Sequence, residues 1–318
     1  MIYAVGFQAG KNQQELLQMD QINFPYVCYY RELDTHFNNI VPWHWHKAIE
    51  IDYILDGELT LTTANQSQIL KKGDLCFINS EVIHSFQNFS QKRQCKFYAH
   101  LFHVSFLSGQ QGSLIEQKYF FPIIGNSTMS ACVFSADINS IPGHTLNSDK
   151  KIIHEMSALF MEVVQLDQEQ PFGFEFEIRN KLGKLWCLLF TSTQNLHQGK
   201  PAAKTDQNRR LKIMLQFIHD NYTNKIQLKD IASAASVSSQ ECMRCFRKYI
   251  HLSPIGYLTE YRIRIAAGQL MDSALNITAI SENCGFSSSS YFTKVFHNIM
   301  GCSPKEYREK AACNQFNK

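Results

Sequence analysis

The rhythm of apolar and polar positions changes twice along this chain. From about residue 24 to 140 they alternate in short runs, as in AIEIDYILDGELTLTT, where Asp56-Gly57 separates two strand-like segments and predicts a tight hairpin. This stretch reads as all-β. Over residues 149–166 and 174–192 the period becomes helical, through Ile152, Ile153, Met156, Leu159, Phe160 and Val163, then through Ile178, Leu182, Leu185 and Leu189. Those two helices carry more apolar surface than the edge of a β-unit needs, which predicts that one of them packs against a second subunit. Residues 195–207, NLHQGKPAAKTDQ, mix Gly, Pro and polar positions without period and read as an interdomain linker.

Everything beyond the linker is predicted helical, and it repeats. LKDIASAASVSSQECMRCFRKYIHLSPIGY, from Leu228, matches ITAISENCGFSSSSYFTKVFHNIMGCSPKEY, from Ile277. Leu228, Ile231, Ala235 and Val237 align with Ile277, Ile280, Cys284 and Phe286 at an offset of 49, whereas Arg244, Phe246 and Pro254 align with Lys294, Phe296 and Pro304 at 50. One residue is therefore added in the second copy's turn or helix start. A short helix, a tight turn and a longer helix make a helix-turn-helix.

Each copy distributes its side chains as two crossed helices require. In the first, Cys242, Phe246 and Tyr249 form a stripe against Ile231 and Ala235, leaving Gln240, Met243, Arg244 and Arg247 outward. Ser238 with Glu241 predicts a capping box at the head of that helix. In the second, Phe292, Val295, Phe296 and Ile299 face in, and Ser289, Ser290, Thr293 and Lys294 face out. Glutamine pairs with adenine, arginine with guanine or phosphate, and lysine with the backbone, so these outward faces suit a DNA duplex. Between the copies, Pro254–Ser273 predicts a helix capped by Ser253, and about 20 residues of helix span roughly 30 Å, close to the ~34 Å between successive major-groove faces.

Charge supports the same division. Residues 207–318 hold 15 Lys and Arg against 8 Asp and Glu, whereas residues 1–206 hold 16 against 20. A basic segment behind an acidic one points to a polyanionic partner for the C-terminal part. At 318 residues the chain suits two domains. Its start lacks the pattern of a signal peptide, and its longest strongly apolar run, LWCLLF, is too short to cross a bilayer, which predicts a cytoplasmic protein with no membrane partner. The ten cysteines are scattered singly and read as reduced, mostly buried thiols. Cys242 and Cys245, in CMRC, read as core residues of the second helix.

Residues 207–311 resemble the DNA-binding domain of AraC-type (AraC/XylS) transcription regulators, whose closing signature is matched by Gly285-Phe286, Tyr291-Phe292, Phe296, Gly301, Pro304 and Tyr307-Arg308. By that resemblance Gln240, Met243 and Arg244 in the first copy, and Ser289, Ser290, Thr293 and Lys294 in the second, stand where the family contacts bases and phosphates. Three positions depart from the pattern: Ser236 and His251 occupy glycine positions, and His297 a position usually basic.

The N-terminal half carries its own chemistry in HWHKAIE, residues 44–50, and in GDLCFINSEVIHSFQN, from Gly73. His44, His46 and Glu50 share parity, so on an extended strand they converge, with His84 expected on a neighbouring strand. Together these segments resemble the two motifs of the cupin barrel, with Asn79 at the second motif's proline and Glu81 at its glycine. Three histidines and a carboxylate suit Zn, Mn, Fe or Ni, with no cofactor required if they line an effector pocket instead. Trp43 and Trp45 fall on the opposite face and read as packing residues, and His100 and His103 as ordinary partly buried histidines.

The fold class expected is therefore multidomain, a cupin-like β-barrel plus helices followed by an all-α tandem helix-turn-helix. The expected boundaries are 1–145 for a ligand-sensing barrel, 146–195 for a helical dimerisation segment, 196–206 for the linker and 207–318 for the DNA-binding domain. The expected function is a ligand-responsive regulator and not an enzyme: a homodimer that senses a small molecule near His44, His46, Glu50 and His84 and reads promoter DNA with two helices. The resemblance implies a sugar or related metabolite as effector, activation more often than repression, and RNA polymerase as a partner of an activator. The alternative is a metal-binding cupin enzyme, a dioxygenase or isomerase, or a metal-responsive regulator.

Overall fold

The computed structural model describes residues 2–4, 24–33, 40–64, 66–89, 93–126, 129–135, 145–146, 149–194, 206–250, 252–272 and 275–315. The chain divides into two compact units between residues 205 and 206. Residues 195–205 of the stretch read as a linker, like His251, lie outside the described residues, and its last two residues, Asp206 and Gln207, already belong to a helix.

The strands of the first unit are β1 (Ile2–Ala4), β2 (Tyr26–Leu33), β3 (Ile40–His44), β4 (Ile49–Asp56), β5 (Glu58–Thr63), β6 (Ser67–Lys71), β7 (Leu75–Ile78), β8 (His84–Asn88), β9 (Cys95–Phe102), β10 (Ala131–Phe134) and β11 (Thr145–Leu146). They form a seven-stranded sheet, β1-β2-β9-β4-β7-β10-β11, and a four-stranded sheet, β3-β8-β5-β6. Gly57 turns β4 into β5 at φ +81, where a Cβ would collide with the main chain of Gln94 and Cys95, so glycine is required there.

Alternation along β4 decides what lies where. Ile49 and Ile51 join one core with Phe77, Phe102, Phe160 and Trp186. Ile54 joins another with Leu59, Leu61, Phe86 and Phe97, drawn from both sheets. Glu50 and Asp52 share the parity of Ile54, so they point into the interior between the sheets, where both are buried.

The first core is closed by two helices, α3 (Lys150–Glu169) and α4 (Phe174–Ser192). Met156, Phe160, Val163, Ile178, Leu182, Leu185 and Leu189 are fully buried against the sheet, so the apolar stripes expected to reach a second subunit are used within the chain. A second expectation also needs correction. The stretch 24–140 is not all-β, because α1 (Val104–Ser108), a π-helical turn (Glu116–Phe120) and α2 (Phe121–Ile124) interrupt it. This insert rests on α4: Phe120 stacks on Trp186 with centroids 4.5 Å apart, and Trp186 Nε1 donates to the Tyr119 carbonyl at 3.1 Å. Those partners lie some 66 residues away, which local periodicity does not register.

The second unit contains α5 (Asp206–Asn221), α6 (Leu228–Ala234), α7 (Ser239–Tyr249), α8 (Pro254–Asp272), α9 (Ile277–Asn283), α10 (Ser289–Met300) and α11 (Pro304–Gln315). Ser236 and Gly285 occupy equivalent left-handed turn positions, at φ 54 and φ 80, in the 49 register. Ser238 and Ser288 cap α7 and α10 in the 50 register, each accepting from the amide three residues on. The added residue of the second copy therefore lies between Phe286 and Ser288, which identifies it as Ser287.

Cys242, Phe246 and Tyr249 pack as expected with Ile231 and Ala235, all buried, and burial pushes the Cys242 thiol up to about 12 and the Cys245 thiol to about 11. In the second copy Phe292 and Phe296 are buried, but Ile299 is 39% exposed and Val295 half-buried, so the inward stripe is narrower than its spacing suggests. The capping box is also incomplete. Ser238 accepts from the Glu241 amide, but the Glu241 carboxylate pairs with Arg244 instead of reaching back. At the head of α6 the complementary half is present, the Asp230 carboxylate accepting from the Gln227 main-chain amide at 2.8 Å.

Candidate functional site

Two sites are set by this architecture. In the first unit His44 ends β3 and stands opposite His84 in β8, while Glu50 projects from β4 of the other sheet. His46 lies in the connection between β3 and β4. The residues expected to converge do come together, but shared parity is only part of the reason. They converge because two sheets face each other, and not because three of them share one strand. A ligand atom from each of the four lies within 4.8 Å of every other, and none of the four side chains is more than 1% exposed.

Backbone carbonyls hold the imidazoles. Nδ1 of His44 faces the Pro42 carbonyl at 2.8 Å, Nδ1 of His46 the Ala48 carbonyl at 2.9 Å, and Nδ1 of His84 the Val82 carbonyl at 2.9 Å. A carbonyl only accepts, so each Nδ1 carries the proton and each Nε2 is turned toward the cluster. His46 Nε2 lies 2.8 Å from Glu50 Oε2, and His84 Nε2 lies 3.1 Å from the same oxygen. Burial alone would raise the Glu50 carboxyl, but the imidazoles of His46 and His84 set against its oxygen outweigh burial and hold it well below the usual carboxylate range. Burial, reinforced by the charges of His84 and His46, pushes His44 well below the ordinary histidine value.

The two departures from the second cupin motif have local tasks. Asn79 donates from Nδ2 to the carbonyls of Ile123 and Met129, at 2.9 and 3.1 Å, which ties the end of β7 to the helical insert. Glu81 adopts φ 62, and its amide donates to the His46 carbonyl at 2.8 Å, while Ser80 Oγ donates to the Lys47 carbonyl at 2.7 Å. The turn thereby clamps the loop that carries His46.

Neither other histidine reaches the cluster. His100 faces the helices, accepting from Tyr26 Oη at 3.0 Å and donating to the Phe160 carbonyl at 3.1 Å, and His103 is half-buried at the start of α1. Trp43 is buried and Trp45 half-buried. Sequence reasoning did not single out Arg31 and Asp52, 6% and 0% exposed on strands of the same sheet, with the Arg31 guanidinium 5.0 Å from the Tyr29 ring centroid. A charged residue in the run YVCYYREL was the available signal for Arg31.

The second site is the outward surface of α7 and α10. Gln240, Arg244 and Arg247 are exposed and Met243 half-buried on α7; Ser290 and Lys294 are exposed and Ser289 and Thr293 half-buried on α10. The Thr293 hydroxyl donates to the Ser289 carbonyl at 3.0 Å, leaving it an acceptor toward any ligand. Between them α8 runs unbroken for 19 residues, about 28 Å, with the amide of Gly256 donating to Ser253 Oγ at 3.0 Å.

Comparison with known proteins finds a family matching each part of the chain. A helix-turn-helix domain family matches residues 231–310 and a cupin domain family residues 38–101. The chain is 29% identical over 305 residues to the uncharacterized HTH-type transcriptional regulator YdeC of Bacillus subtilis, covering 95% of this chain and 98% of that one. It is 27% identical over 270 residues to an uncharacterized HTH-type transcriptional regulator of Haemophilus influenzae, covering 81% and 85%. Among solved structures, ToxT of Vibrio cholerae bound to (E)-4-(8-methylnaphthalen-1-yl)but-3-enoic acid aligns over 90% of this chain and 99% of that one at 14% identity, with a TM-score of 0.47, too low to compare arrangements. No helix among the described residues is long and apolar enough to cross a membrane. The chain thus carries a cupin domain followed by an AraC-type helix-turn-helix domain, and its relatives along nearly the whole length are HTH-type transcriptional regulators.

Proposed function

We propose that this chain regulates transcription by reading promoter DNA with α7 and α10, and that its input is a divalent transition metal, alone or with a small molecule, held at His44, His46, Glu50 and His84. The observation that carries the metal reading is the locking of three Nδ1 protons onto the carbonyls of Pro42, Ala48 and Val82. That second layer orients imidazole ligands and presents each Nε2 to one point, with a carboxylate completing the set. Opposed donors around a metal at roughly 2.0–2.2 Å stand about 4 Å apart. The cluster is already near that size. The metal would supply positive charge and open coordination positions to an effector, and the four side chains would fix where those positions lie. Burial of all four also favours an ion over a bare sugar-sized ligand, which would first have to open the site.

A second reading has its own observation. His46 and Glu50 already satisfy one another at 2.8 Å, so the cluster can stand as a buried ion pair lining an effector pocket without metal. Elemental analysis of the untagged full chain separates them. About one equivalent of Zn, Mn, Fe or Ni supports the metal site, and less than roughly a tenth of an equivalent after exposure to each ion refutes it.

Within the same proposal the chain acts as a homodimer, and the effector alters how the two DNA-binding domains are spaced. A tenfold change in promoter occupancy needs only about 1.4 kcal/mol of differential affinity. An activator of this kind would also contact RNA polymerase.

A further inference from the structure

The two reading helices precede and follow α8 in the chain, so their relative placement depends on what fixes α8 against its neighbours. One side chain of α8 touches both halves. Arg262 donates from Nε to the Tyr222 carbonyl and from Nη2 to the Asn224 carbonyl, each at 2.7 Å, just past the end of α5. Its guanidinium also lies 5.7 Å from the ring centroid of Phe286, in the turn between α9 and α10. Gly285 closes the contact from the other side. A Cβ there would stand 2.6 Å from the Tyr222 carbonyl oxygen, 2.8 Å from that of Thr223 and 2.9 Å from Arg262 Nη2.

The end of α5 therefore abuts the turn of the second helix-turn-helix, with Arg262 between them. Helix α5 packs on α6 and α7, so this contact links the first reading head to the second without passing along α8. The chemistry suits a rigid brace. A planar guanidinium donates in two fixed directions, here to carbonyls beyond a helix C-terminus, where the backbone dipole favours a cation. Lysine would keep the charge but offer a single flexible point. Arg308 braces the next junction similarly, donating to the carbonyls of Leu270 and Leu275 at 3.3 and 2.6 Å, but its partners do not bridge the two turns.

We propose that Arg262 is a positioning residue for DNA recognition: by joining the end of α5 to the α9–α10 turn it fixes the separation and rotation of α7 and α10, and so the number of base pairs between two half-sites. The inference rests on both helices reading DNA. Adding one base pair moves a half-site about 3.4 Å along the duplex and about 35° around it. A braced pair of heads cannot follow that displacement, whereas a pair joined only through α8 can bend toward it.

The test uses the full chain and duplexes that it selects from a random-sequence pool. Wild type should select two half-sites at one spacing, and inserting a single base pair between them should weaken binding at least about tenfold. Arg262→Lys, and separately Gly285→Ala, should keep both half-site preferences but tolerate the insertion with less than about a threefold loss. Circular dichroism checks folding; if Gly285→Ala does not fold, Arg262→Lys decides alone. Equal strictness in wild type and variants overturns the proposal, as does selection of a single half-site by wild type. Failure of wild type to select any DNA overturns the reading of α7 and α10 on which it rests.

Discussion

The carboxylate of Glu241 pairs with Arg244 Nη2 at 2.5 Å, one turn along α7, instead of closing the capping box at the head of that helix. Arg244 is 70% exposed, so the pair adds little stability. Its consequence is orientation, because the guanidinium is held at the outward face beside Gln240.

Replacing Arg244 with Ala should weaken binding to a selected duplex by about 1–3 kcal/mol and relax the base preference at one position. Lys294→Ala should weaken binding more evenly across sequences and lower the salt dependence by about one unit. Fluorescence anisotropy at several salt concentrations distinguishes these outcomes; unchanged affinity in Arg244→Ala would remove that residue from the interface.

If the cluster of His44, His46, Glu50 and His84 holds a metal as proposed, His84→Ala should abolish stoichiometric binding of added Zn or Mn. Substituting Pro42, whose carbonyl holds His44, by a residue that shifts the strand should weaken affinity by about 10- to 100-fold. Calorimetric titration of the full chain reads both. Equal affinity in wild type and His84→Ala would place the metal elsewhere.

Stability should fall with acidity in a way traceable to two histidines. Burial pushes His100 down to about 4 and His219 down to about 3, against an ordinary value of 6.5. Below 6.5 the unfolded chain takes up protons that the folded chain refuses, so each contribution is complete above pH 6.5 and is lost progressively as pH falls toward 4 and 3. The steepest slope is about 1.4 kcal/mol per pH unit for each residue. Urea midpoints measured between pH 7.5 and 4.5 should decline, and His219→Gln should flatten the decline of the second unit. A pH-independent midpoint for that unit in wild type would contradict the assignment of His219 as a buried neutral imidazole.

Ser236 occupies a left-handed turn at φ 54, where its counterpart is Gly285. Ser236→Gly should therefore stabilise the second unit by about 0.5–1 kcal/mol, the steric relief being partly offset by the greater freedom of glycine in the unfolded chain. Thermal unfolding checks this, and destabilisation by the substitution would show that the serine side chain makes a stronger contribution than its backbone strain.

How much of this was legible depended on the distance between partners. The tandem helix-turn-helix was readable because crossed helices impose a short, strict spacing on Ile231 and Phe246 and again on Ile280 and Phe296, all of them buried. The Asp56-Gly57 hairpin was readable for a similarly local reason. His44, His46 and Glu50 were recognisable as neighbours, but not the arrangement that joins them, since Glu50 belongs to the other sheet. The carbonyls that set the histidine tautomers carry no residue identity and leave no mark in a sequence. The brace at Arg262 was equally hidden, because its carbonyl partners lie about 40 residues upstream. The helical insert over 104–124 was missed because its packing partner, Trp186, is on a distant helix.

The most direct test of the account is the affinity of the full chain for its selected duplex, measured with the cluster loaded with metal and again after chelation. A change of at least about fivefold is expected between the two states, and none in His84→Ala. The same affinity in both states, with one equivalent of metal demonstrably bound and then removed, would contradict it.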